Sequence, residues 1–154
     1  MNKLICYLPS QHDEEHHIIA NSLKKLLEEN SNVGIYIPNK SILCECSSFG
    51  NALHELGMDV KSVIKSLSKQ DPFTMGWNGK NVTLQRTVYK GQWDSFCGSI
   101  FSDKTLFCPY LSKDDVEVVL SKCDQWHIEV LAICEKNESN KILIEKFDET
   151  EEFK

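Results

Sequence analysis

Three histidines and three carboxylates fall within six residues, HDEEHH, in the stretch PSQHDEEHHIIANSLKKLL that begins at Pro9. His12 and His16 stand one helical turn apart, the spacing by which a helix offers two imidazoles to one metal ion. Asp13 occupies the place where the zinc-protease pattern has Glu, and no third-ligand motif follows. Two ligands on one turn do not complete a tetrahedral shell. The residues also fit a helix start. Asp13, Glu14 and Glu15 would complement the positive helix end, each by roughly 0.3–1 kcal/mol. His12 and His16 continue the apolar series Ile19, Leu23, Leu26 toward that end. The cluster is therefore expected to be structural, with no metal and no cofactor. A second pair, Cys44 and Cys46, would share one face of a strand. With no CxxC motif or second pair beside them, they are expected to pack inward as small apolar side chains.

The elements that would position these groups follow from hydrophobic periodicity. KLICYLP reads as a buried strand ended by Pro9, and Ser10 with Asp13 as a helix cap. A helix over residues 12–30 buries Ile19, Leu23, Leu26 and Leu27. NVGIYIP and KSILCEC read as strands. Leu53, Leu56, Val60, Val63, Ile64 and Leu67 repeat as one helix. NVTLQRTVY alternates Val82, Leu84 and Val88 against Thr83, Gln85 and Thr87, a half-exposed antiparallel strand after the turn pair Asn78-Gly79. A hairpin is expected around Ser102-Asp103. Ser112 with Asp115 caps a third helix whose stripe is Val116, Val119, Leu120 and Cys123. HIEVLAICE and KILIEKF read as closing strands joined by the loop KNESN. The expected architecture is α+β, a mostly antiparallel or mixed sheet with about three helices on one face. Residues 1–147 would form one globular domain and 148–154 an acidic tail. A small three-layer α/β fold is the alternative.

Composition narrows the function. The chain has 154 residues, 41% hydrophobic and 26% charged, with a net charge of −6, as in a soluble globular protein. Excess negative charge argues against nonspecific phosphate binding, so no nucleic-acid partner is expected. It suits a basic protein partner. The N-terminus has six residues of apolar character before charge intrudes, too few for a signal h-region or a membrane span. A cytoplasmic location is expected, without a membrane partner. The seven irregularly spaced cysteines fit buried, reduced thiols.

Two stretches carry resemblances. GNALHELG, Gly50 to Gly57, is similar to the Gly-x-Ala-x-x-Glu-Leu-Gly region of nucleoside deoxyribosyltransferases, and TIR-type NAD-cleaving domains carry a comparable helical glutamate. The resemblance implies a catalytic Glu55 stabilising an oxocarbenium-like sugar carbon. The chain lacks the family's Gly-rich first loop, and positions 55, 59, 62 and 66 are all polar, which suits a solvated helix face. Over roughly residues 3–135 the order differs in what it resembles. LKKLL, LGMDVKSVIKSL, TMGWNGKN, an alternating strand and TLFCPYLSKDDVEVVLSKCDQW look like one family of bacterial polymorphic-toxin immunity proteins. That resemblance implies a non-enzymatic protein that neutralises a toxin. The expected partner-binding residues are Asp114, Asp115, Glu117, Asp124, Glu145 and Asp148, with Trp93 as an aromatic anchor. Trp126, beyond the Cys123 stripe, is expected to pack in the core.

Overall fold

A computed structural model describes residues 2–38, 44, 46–67, 73–86 and 105–153. The seven strands are β1 (Lys3–Tyr7), β2 (Asn32–Ile37), β3 (Phe73–Trp77), β4 (Lys80–Arg86), β5 (Thr105–Cys108), β6 (Glu129–Glu135) and β7 (Glu149–Glu152). They form one sheet in the order β3-β4-β2-β5-β6-β1-β7. The β3–β4 pair is antiparallel and the other pairs are parallel, so the sheet is mixed and the class is α+β, as expected. Helices α1 (Glu15–Glu29), α2 (Ser48–Glu55) and α3 (Val60–Leu67) pack on one face. Helices α4 (Val116–Gln125) and α5 (Lys141–Glu145) pack on the other, so the helices do not all lie on one side as expected.

Period-two alternation explains the two layers. Leu4 and Cys6 of β1 join the α4–α5 side, while Ile5 and Tyr7 face α1. Leu106 and Cys108 of β5 likewise oppose Phe107. The central strands are apolar on both faces, as parallel strands covered on both sides must be.

Several expected elements are corrected. Residues Pro9–Glu14 form a 3-10 turn, and α1 begins only at Glu15. Ser10 does not cap it; the Leu8 N–H donates to Gln11 Oε1 at 2.8 Å instead. The single helix expected from Leu53 to Leu67 breaks into α2 and α3 at Gly57, whose φ is +79°. Gly57 N–H donates to His54 O and Met58 N–H to Leu53 O, both at 3.0 Å, the paired bonds of a Schellman cap. Nothing lies within 4 Å of a Cβ placed on Gly57, so only the left-handed backbone opposes a side chain there. Gly57→Ala should cost about 1–2 kcal/mol, read as a lower urea midpoint with an unchanged slope. The first five residues of KILIEKF are helical rather than extended, burying Leu143, and Phe147 is buried just past the helix end. The expected tail, residues 148–154, holds β7.

The Asn78-Gly79 hairpin is as expected, both residues having positive φ, +46° and +80°. Thr83, expected on the exposed face, is buried and its hydroxyl lies 3.1 Å from that of Thr74. The Trp77 indole N–H donates to Leu56 O at 2.8 Å and ties the hairpin to the end of α2. The α4 stripe is as expected, with Val116, Val119 and Cys123 fully buried. Trp126 packs against that core. The hairpin at Ser102-Asp103, Thr87, Val88 and the Gln85 side chain lie outside the described residues.

Candidate functional site

The carboxyl ends of parallel strands are where open α/β sheets place their ligands. Here β1 ends at Tyr7, β5 ends at Cys108 with Tyr110 in the turn that follows, and β6 ends at Glu135. The Tyr7 hydroxyl donates to Glu15 Oε2 at 2.7 Å. Burial, then this hydrogen bond, push the Tyr7 phenol far up from its ordinary value. Tyr110 is pushed up as well, by burial and then by the Glu15 charge. Its buried hydroxyl has no hydrogen bond, the single such side-chain atom among the described residues. Its ring meets Phe49 edge-on with centroids 6.5 Å apart. His12 Nδ1 lies 3.9 Å from Glu15 and 3.7 Å from Glu135. His12 belongs to the 3-10 turn and His16 to the first turn of α1, so the two do not stand on one continuous α-helix as expected.

A different set gathers where α1 meets α2. His17 Nδ1 lies 3.0 Å and 3.1 Å from the two Glu55 oxygens. The rings of His16 and His17 lie 4.1 Å apart, tilted by 37°. Glu55 is therefore not simply solvated, as its polar helix face suggested; it bridges to α1 while remaining half-exposed. Buried Ile18 and Ile19 of α1 and Ala52 and Leu53 of α2 fix the two backbones behind these side chains.

The cysteines divide into two groups. Cys6, Cys108, Cys123 and Cys134 are buried, as expected. Cys6 and Cys134 face each other on paired strands with Sγ atoms 3.8 Å apart. Burial pushes the Cys108 thiol up, which keeps it unreactive. Cys44 and Cys46 do not pack inward as expected, and residues 40–43 and 45 of KSILCEC lie outside the described residues. They lie in a turn before α2, Cys46 is exposed, and the two sulfurs face each other rather than the core. Cys97 lies outside the described residues.

The expected partner-binding carboxylates fall on the α4–α5 layer, but not as one cluster. Asp114 and Glu117 are exposed at the start of α4, and Lys146 binds Glu117 at 3.1 Å. Asp115 is half-buried as the residue preceding α4 and accepts the Ser112 hydroxyl at 3.0 Å. Asp124 and Asp148 flank a hollow of about 260 Å³ at the other end of α4. Asp148 also accepts the Asn2 N–H at 3.0 Å. Glu145 is exposed on α5. Trp93 lies outside the described residues. Ile142 of α5, which no sequence pattern singled out, is 55% exposed and offers an apolar contact on this layer.

Charge is segregated along the chain. Residues 112–154 hold twelve carboxylates against six lysines, whereas residues 1–111 balance eleven against eleven. The entire net charge of −6 thus belongs to the segment that forms α4, β6, α5 and β7. A groove of about 350 Å³ between α1 and the amino ends of β1 and β6 has a mixed rim, including Lys3, Lys25, Glu29 and Glu151. No described helix is long and apolar enough to cross a membrane. No protein-family model matches the chain, and no curated protein or solved structure does either.

Proposed function

We propose that this is a non-enzymatic, cytoplasmic binding protein that neutralises or regulates a basic partner protein, a toxin domain in the manner of immunity proteins. The observation that carries this reading is the segregation of the whole negative charge into residues 112–154. An excess of carboxylates raises the rate at which a basic partner arrives. Exposed Ile142 supplies apolar contact within the charged surround, the combination from which interface cores and rims are built.

Asp114→Lys, Asp124→Lys and Glu145→Lys test the proposal together. All three side chains are exposed, so the fold should survive their replacement. Each exchange adds two positive charges, taking the net charge from −6 to zero. A partner recovered from the native host and identified by mass spectrometry should associate at least about tenfold more slowly with the triple variant at low salt. The wild-type rate should fall with added salt toward that of the variant, as the Debye length contracts to about 3 Å at 1 M. A rate indifferent to both changes would remove the acidic surface from the interface. Turnover of NAD or a deoxynucleoside, abolished by Glu55→Gln, would replace the proposal with N-glycosidic chemistry.

A further inference from the structure

We infer that His16, His17 and Glu55 form a binding site for a divalent first-row transition-metal ion, bridging α1 and α2. One donor atom from each residue lies within 4.8 Å of the other two. In a tetrahedral shell with bonds of about 2.0–2.1 Å, neighbouring donors stand about 3.3 Å apart. The His17 Nδ1 and Glu55 oxygens, at 3.0 Å and 3.1 Å, already have nearly that separation. Closure to that shell falls to the His16 and Glu55 side chains, above backbones held by buried Ile18, Ile19, Ala52 and Leu53. Two imidazoles and a carboxylate suit zinc, cobalt, nickel or copper better than calcium or magnesium, which prefer all-oxygen shells. Three protein donors leave at least one coordination position for water.

The two helices supply different parts of this set, which is why it has an energetic consequence. Glu55 is 38 residues from His17 in sequence, so a bound ion closes a long loop in addition to bridging two side chains. An ion that binds only this folded arrangement stabilises it. The site lies on the opposite helical layer from the acidic α4–α5 surface, so it stands or falls independently of the proposed function.

Titration of tag-free protein with Co2+ should give saturable visible d–d absorption at one equivalent, displaced by Zn2+. Zn2+ should also raise the melting temperature. Because His17 and Glu55 are exposed and His16 is not fully buried, His17→Ala and Glu55→Gln should remain folded by circular dichroism while losing at least tenfold in Co2+ affinity. His16→Ala should behave alike. His12→Ala, which alters the neighbouring turn, should bind as the wild type does. The Cys44→Ser, Cys46→Ser double variant should also bind normally. Absence of saturable binding into the millimolar range would overturn the inference. So would equal affinity in the His17 and Glu55 variants, or a sulfur-to-cobalt charge-transfer band lost in the double cysteine variant, which would put the ion on the thiols.

Discussion

Phe107→Ala should destabilise the fold by about 3–5 kcal/mol, the usual cost of deleting a fully buried aromatic ring. Phe107 is 0% exposed and lies on β5, between Ile35 of β2 and Leu131 of β6 in the sheet register. Its side chain belongs to the apolar layer beneath α1 and α2. That position is paired on both sides by backbone, so the sheet cannot close over the missing ring. The cost has two parts, the lost transfer energy and the cavity left behind. For a chain of this size the melting temperature should drop by about 6–20 °C. Urea unfolding provides the check, with a shifted midpoint and a slope close to wild type. Leu8→Ala, at a side chain 48% exposed, should change stability by no more than about 0.5 kcal/mol. Similar losses at both positions would contradict the central placement of β5.

The difference between those positions mirrors what the sequence could reveal. Helix α1 was legible because Ile19, Leu23 and Leu27 repeat at helical spacing and all three are buried. The hairpin was legible because Asn78-Gly79 meets a local backbone requirement. Gly57 was overlooked because the apolar repeat runs unbroken across it; its cap depends on hydrogen bonds rather than on hydrophobic pattern. KILIEKF is ambiguous in principle, since a short apolar run satisfies either period. The pairing of β1 with β6, rather than with β2, is a long-range choice that no local pattern encodes. The candidate metal site was half visible for the same reason. HDEEHH announced histidines, and Glu55 was noticed separately in another context. Only the packing of α1 on α2 makes them neighbours, and it selects His17 where helical spacing had pointed to His12.

Removal of residues 149–154 should cost about 3–4 kcal/mol and make the protein self-associate, although the segment looks like a dispensable tail. Glu149 to Glu152 pair with Lys3 to Cys6 in parallel register. The Glu149 N–H donates to Asn2 O at 3.2 Å, and the Phe153 N–H to Cys6 O at 2.8 Å. With about 1 kcal/mol net per backbone hydrogen bond, a four-residue pairing accounts for most of the expected loss. The ion pairs Lys3–Glu151 and Lys136–Glu152 are largely solvated and add little. Truncation also turns β1 into an edge strand, and an unpaired edge carrying apolar side chains invites pairing with another chain. β7 prevents this because all four of its residues are exposed and three are glutamates. Glu151→Gln with Glu152→Gln separates the two effects. It retains the backbone pairing, so stability should stay within about 1 kcal/mol of wild type, while the less charged edge should self-associate more readily. Urea unfolding and light scattering would distinguish the variants. A truncated chain as stable and as monodisperse as the full one would show that β7 contributes neither pairing nor protection.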